Sequence, residues 1–249
     1  MAVRKRVYTG KTHLSDYLSD EDLIQPFTKL GYFYQGQGLY QQAEPWFQQC
    51  EKVTKNRLGL KHLDVAASLN NLAELYRFAG RYGEAEPLYQ QALALWKRLL
   101  GDNHLNIAAS LNNLAGLYKS TKRYSEAELM YQQAFALNKR LLGDNHPDVA
   151  TGLNNLAGLY GSTRRYSEAE PLFQQALELS KRLLGDNHPD VATSLNNLAG
   201  LYKSTKRYSE AKPLFEQALA ICEQTLGLGH PDTIRVRKNY ASFLRQAYC

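Results

Sequence analysis

The chain of 249 residues carries a net charge of +6, and 44% of its residues are hydrophobic. No apolar run reaches the roughly 18 residues that a membrane-spanning helix needs, and the basic opening MAVRKRVYTGKTHLSDYLSD is not followed by the apolar stretch of a secretory signal. The positive excess is too small to be a nucleic-acid footprint by itself and favours acidic partners only weakly, through attraction that salt screens.

Residues 1–21 are polar and basic and stand outside any repeat, which reads as an arm or a capping segment. From residue 22 onward a unit recurs. Its LNNLA core places Leu69, Leu111, Leu153 and Leu195 at intervals of 42 residues. A fixed period of that size marks a stacked solenoid, whose units bury their apolar faces only against their neighbours. The first copy is degenerate: Leu30 stands in the place of Leu72, Gly38 of Gly80, Tyr40 of Tyr82 and Ala43 of Ala85. Five units are expected over 22–231, with a further first helix over 232–249 as a C-terminal cap.

The copy at residues 143–184 shows the unit most clearly. Val149, Leu153, Leu156 and Tyr160 form one stripe of a helix. Pro147 suits its first position, where a missing N–H costs nothing, and Asp148 suits the positive end of its dipole. The polar run GSTRRY ends this helix. A second helix is expected to open on a capping box, Ser167-Glu168-Ala169-Glu170, repeated at Ser125–Glu128. With Ser167 as the cap, Pro171 removes one intrahelical bond and bends the entry. The apolar stripe is Ala169, Phe173, Ala176, Leu177, Ser180 and Leu184, and Gly185 is the stop. In the last unit Lys212 replaces the box glutamate, which is expected to weaken that start. Short connections force neighbouring helices antiparallel. The expected fold is all-α, a right-handed α–α superhelix of stacked helix pairs with the first helices on the concave side.

Leu153, Leu156, Ala157, Tyr160, Tyr166, Ala169, Phe173 and Ala176 together make the unit resemble a tetratricopeptide repeat. That family's usual period is about 34 residues. The longer unit here, with its insert LLGDNHPDVA, is similar to the repeats of kinesin light chains and their bacterial relatives, over residues 22–247. The near-identity of the middle copies resembles the bacterial versions. The resemblance implies a non-catalytic protein-interaction scaffold whose concave face takes a peptide of a partner.

On that pattern Asn70, Asn112, Asn154 and Asn196 face the groove, and their neighbours Asn113, Asn155 and Asn197 lie at its edge. Asparagine is a poor helix former, so paired asparagines in mid-helix lower stability at each occurrence. A row of amides can hold the backbone of an extended peptide whatever its sequence; the alternative is that one of each pair bonds a neighbouring helix. Gly116, Gly158 and Gly200 follow one turn later and either widen the groove or are copies left by duplication. Groove charge is uneven: Lys119 and Lys203 flank the neutral Gly161, while Arg235, Lys238 and Arg245 with Asn239 mark the C-terminal end. Tyr32, Glu74, Arg77 and Phe78 mark the other end. The groove is thus expected to be aromatic at one end and basic at the other, suited to a peptide with acidic residues or a free carboxylate; a solvated basic cap is the alternative. The carboxylate clamp of chaperone-binding relatives is not expected, because its lysine positions hold Asn and Ala here.

His62, His104, His146, His188 and His230 recur once per unit. Packed helices about 10 Å apart hold such copies too far apart for one zinc ion, so they read as loop-packing or capping residues, and no metal or cofactor is expected. No phosphate loop, HExxH or GxSxG motif is present, so no catalysis is expected. Cys50, Cys222 and Cys249 show no CxxC spacing and read as packing or loose thiols of a reducing compartment, the cytoplasm. Two rivals to peptide binding are self-assembly through solenoid ends, tested by light scattering, and nucleic-acid binding through Arg4-Lys5-Arg6 and the KSTKRY turns, which the near-invariance of the groove disfavours.

Overall fold

The computed structural model describes residues 20–248, with side chains from residue 24 onward. The expected arm over residues 1–21 falls almost wholly outside them. The described residues form eleven α-helices and no strand: α1 (Asp20–Gly36), α2 (Tyr40–Leu58), α3 (Leu63–Phe78), α4 (Tyr82–Leu100), α5 (Leu105–Ser120), α6 (Tyr124–Leu142), α7 (Pro147–Ser162), α8 (Tyr166–Leu184), α9 (Pro189–Ser204), α10 (Tyr208–Leu226) and α11 (Pro231–Tyr248). Each helix packs on the next in sequence, and the odd-numbered helices also touch one another, α3 on α5, α7 on α9 and α9 on α11. That second set of contacts puts the first helices of successive units side by side, the inner wall of an all-α superhelix.

Local chemistry sets the helix ends. The recurring histidines cap the first helices: in each of His62, His104, His146, His188 and His230 the ring Nδ1 accepts the N–H two residues on, at 3.1–3.2 Å. That bond satisfies one of the orphan donors of a helix start. Each long second helix stops at a glycine with positive φ, as at Gly185 (φ 82). Between α7 and α8 the chain reverses through Arg164 (φ 62), and the Arg165 N–H reaches back to the Tyr160 carbonyl at 2.8 Å, a Schellman-type closure. Lys122 and Lys206 hold the same left-handed position, filled by glycine at Gly38 and Gly80. For a side chain that backbone costs about 1 kcal/mol.

The expected capping box is not formed. α8 begins at Tyr166, its N-cap is Arg165, and no side chain caps it. Ser167 lies exposed in the first turn, and the box glutamates bind arginines instead of backbone. Pro171 sits inside α8 and the helix runs on to Leu184. The bracket centred on Arg165 explains the pattern. Its guanidinium bonds Glu168 in its own unit and Glu128 in the preceding one, both at 2.7 Å, and lies 3.9 Å above the Tyr160 ring. Arg81 (with Glu84, Glu44 and Tyr76), Arg123 (with Glu126, Glu86 and Tyr118) and Arg207 (with Glu210, Glu170 and Tyr202) repeat it. Hydrogen bonds to these guanidinium groups hold Glu84, Glu126, Glu168 and Glu210 below the usual carboxylate range. Lys212 stands in the register of Glu44, Glu86, Glu128 and Glu170, and the position where its arginine would fall, 249, is a cysteine. The change to lysine therefore removes a bracket acceptor rather than a helix cap.

Between the layers, Phe47, Tyr89, Tyr131, Phe173 and Phe215 of the second helices share clusters with Ala73, Ala115, Ala157 and Ala199 of the first. Large rings against small alanines let the helices interdigitate, and each fully buried ring contributes about 2–3 kcal/mol. In the register of those alanines α1 carries Gly31, where a Cβ would come within 2.8 Å of the Phe47 ring. The stripe expected for α8 omits Leu179, which is buried, while Leu177 is half-buried. Cys50 and Cys222 are buried free thiols, and Cys249 lies outside the described residues.

Candidate functional site

The inner wall opens into a cavity of about 630 Å³ over α7 and α9. Both members of each asparagine pair line it, Asn154 and Asn155 from α7 and Asn196 and Asn197 from α9, with Asn239 of α11 beyond them. The second asparagines, Asn155 and Asn197, thus line this cavity together with the first. Phe173 and Phe215 reach it from the outer helices.

The amides are connected unevenly along the groove. Near one end Asn113 donates to Asn70 at 3.0 Å, and near the other Asn239 donates to Asn196 at 3.1 Å. In each case the second asparagine of one unit bonds the first asparagine of the unit before, the neighbour-bonding alternative raised by the sequence. By the same register Asn155 should bond Asn112, and Asn197 should bond Asn154. Those two bonds are absent. The Asn112 and Asn154 side-chain oxygens are buried with no partner, and the Asn154 amide instead donates to Ser194 at 2.8 Å. The middle of the groove thus holds two open acceptors, although buried polar groups are almost always satisfied. Leaving one unpaired costs about 1–3 kcal/mol.

One register position of the inner helices carries Gln35, Arg77, Lys119, Gly161, Lys203 and Arg245, and of these Lys119 and Lys203 line the cavity. The Lys119 ammonium lies where a Cβ on Gly158 would come within 3.0 Å of it, and burial pushes it below the usual lysine value. Gly158 is therefore the groove glycine whose lack of a side chain makes room for a neighbour. Lys203 donates to Ser242 at 2.7 Å. In the KSTKRY turns the charges part company: the lysine of each run at 119 and 203 points into the groove, while Arg123 and Arg207 are tied into brackets. Exposed Lys122, Arg164 and Lys206 are what remains of the expected basic stripe.

The aromatic and basic ends, expected to lie apart, come together. Tyr32, Phe33 and Phe78 share a cleft of about 1070 Å³ with His230, Ile234 and Arg235 from the start of α11. Superhelical curvature brings the last helix back to the first pair, which no local pattern announces. Arg235 pairs there with Asp232 at 2.9 Å. Arg77 lies 4.4 Å from the Phe78 ring centroid and 3.9 Å from Glu74, and its Nε is buried without a partner. Desolvation raises Glu74, opposed by Arg77, and pushes the Tyr32 hydroxyl up to about 12, with Glu74 adding to the rise. Lys238, in the register of the first asparagines, is exposed and lines neither cavity.

Among the described residues no three or more His, Cys, Asp or Glu side chains are placed to hold a metal ion, and no helix is long and apolar enough to cross a membrane.

Comparison with known proteins agrees with this geometry. A family model described as tetratricopeptide repeat matches residues 22–95, 64–140, 130–179, 148–224 and 197–247. A search of curated proteins found no match. Among solved structures, a Podosopora anserina protein described as a kinesin light chain with nearly identical repeats is 27% identical, with a TM-score of 0.65 over 84% of this chain and 99% of that one. BtubC from P. vanneervenii is 23% identical with a TM-score of 0.63, over 92% and 85% of the two chains. A Rap protein, crystallised with competence and sporulation factor, is 15% identical with a TM-score of 0.71, over 94% and 69%. These last two speak to fold alone. With repeat matches running from residue 22 to 247, the chain belongs to the tetratricopeptide repeat family, in its longer, kinesin-light-chain-like form.

Proposed function

We propose that the chain is a non-catalytic interaction scaffold that holds an extended peptide segment of a partner protein in its concave groove. One observation carries this reading: the open Asn112 and Asn154 oxygens in mid-groove, where the end pairs are closed. A buried acceptor kept open at a cost to stability suits a donor that arrives with a ligand, and a peptide backbone supplies an N–H at every residue. Asn155 and Asn197, which line the same cavity, carry side-chain amide donors for the same backbone. Inner helices about 10 Å apart give a groove on the order of 50 Å, room for about 15 extended residues. Asn112/Asn154/Asn196→Ala tests the reading by fluorescence anisotropy with labelled peptides of about that length. Affinity should fall at least tenfold with helicity retained; unchanged affinity in a folded variant would end it.

A further inference from the structure

A pocket of about 240 Å³ opens on the outer side of the solenoid, between α6 and α8, and shares no residue with the groove cavity. Phe135, Val149, Leu153 and Leu179 make its base apolar. On its rim Lys139 pairs with Asp144 at 2.8 Å, and Arg182 donates to the Asn145 side-chain oxygen at 2.6 Å. The carboxylate of Glu178, exposed on the same rim, has no hydrogen-bond or ion-pair partner among the described residues. This lining departs from the repeat. Glu178 stands where the other full units carry Ala94, Ala136 and Ala220, and Phe135 where they carry Leu93, Leu177 and Leu219. Gly152, in a register of Ser68, Ser110 and Ser194, makes room for the Phe135 ring.

A second departure lies in the α2–α3 connection, Gly59-Leu60-Lys61-His62. In the α4–α5, α6–α7 and α8–α9 connections the middle positions hold Asp102-Asn103, Asp144-Asn145 and Asp186-Asn187. Those residues are used within the chain: the aspartates pair with Lys97, Lys139 and Lys181, and Asn103 and Asn145 accept from Arg140 and Arg182. Leu60 and Lys61 make none of these bonds. Leu60 is instead 68% exposed, and the exposed Lys61 ammonium beside it has no carboxylate partner among the described residues. The α10–α11 connection also exposes a leucine, Leu228, but follows it with Gly229.

An exposed leucine with a free cation beside it is the counterpart of an apolar pocket with a free carboxylate on its rim. Two units, on the order of 20 Å at the spacing of packed helices, separate the two within one chain, so the match is made between chains. We propose that Leu60 of one copy enters the α6–α8 pocket of a second copy, where Lys61 pairs with Glu178. The contact joins two different patches, so it is heterologous and leads from each chain to the next, head to tail. One inserted side chain and one ion pair make a small interface, and the association is weak. It stands apart from the groove reading and leaves the concave wall free for a peptide.

Sedimentation velocity of the full chain from micromolar to millimolar concentration tests it, with circular dichroism as the control for fold. The parent should gain mass with concentration. Leu60→Ser, Lys61→Glu and Glu178→Lys alter exposed side chains, and each should move the association midpoint to at least tenfold higher concentration. A mixture of Lys61→Glu with Glu178→Lys should associate as the parent does. In it the new carboxylate at position 61 meets the new ammonium at position 178, and the unaltered Lys61 and Glu178 meet each other. A parent that stays monomeric at millimolar concentration overturns the proposal and leaves the pocket to a partner other than this chain. Association that survives Leu60→Ser, or a mixture no more associated than its two components, overturns it as well.

Discussion

Replacing Gly152 by serine should destabilise the protein even though serine is the residue at the same register in the other full units, Ser68, Ser110 and Ser194. Serine favours a helix over glycine by roughly 0.5 kcal/mol, so propensity alone predicts a gain. Packing predicts the reverse. A Cβ on Gly152 would come within 2.9 Å of the Phe135 ring, and overfilling a packed site costs about 1–3 kcal/mol. The net expectation is a loss of about 1–2 kcal/mol. Phe135 stands in a register that holds Glu51 in the degenerate first unit and Leu93, Leu177 and Leu219 in the others; Phe135→Leu alone vacates a small volume and should cost about 1 kcal/mol. The double variant restores the serine–leucine pairing of Ser110 with Leu93 and Ser194 with Leu177. It should return to within about 0.5 kcal/mol of the parent, a coupling of roughly 2 kcal/mol. Urea unfolding followed by circular dichroism, with equal slopes required across the set, measures all four proteins. Additive losses in the double variant, or a stabilised Gly152→Ser, would refute the steric reasoning.

Other consequences are equally direct. Asn112→Ala should raise stability by about 0.5–1 kcal/mol, because it removes a poor helix former and an unpaired acceptor; thermal unfolding checks this, and a lowered midpoint would mean the amide has an unrecognised partner. His146→Ala should cost about 1 kcal/mol through loss of its cap, and in urea titrations His104, His146 and His188 replaced together should add nearly independently. In acid, the depressed carboxylates of the arginine brackets predict the sign of the pH response. Their contribution is complete above the ordinary carboxylate value of 4.5 and is lost as pH falls through their lower folded values. Melting curves between neutral pH and about pH 3 should therefore fall more steeply for the parent than for Arg81/Arg123/Arg165/Arg207→Gln; parallel curves would show that the brackets contribute nothing.

What the sequence made legible was local or periodic. Leu153, Leu156 and Ala157 recur at one interval and name the buried face, Pro147 and Gly185 mark helix ends by backbone chemistry alone, and the five spaced histidines fit the caps they make. Missed features join residues far apart. Arg165 and Glu128 are separated by 37 residues, while the adjacent Ser167 and Glu168 imitate a capping box, so a local rule claimed side chains that a bracket between units uses. Its signal is a glutamate and an arginine that keep one spacing through four copies, and Lys212 marks where the series stops. That Phe33 and Ile234 line one cleft depends on curvature summed over every unit and has no local sign. The asparagine pairs occupy one wall, but their repetition hid the difference that matters, since Asn70 and Asn196 are satisfied while Asn112 and Asn154 are not.

Peptide affinity of the parent against Asn112/Asn154/Asn196→Ala, read by fluorescence anisotropy with circular dichroism as the control for fold, tests the central claim most directly. The account predicts at least a tenfold loss in a variant that is as helical as the parent. Equal affinity in that folded variant would contradict it and take the ligand off the concave wall.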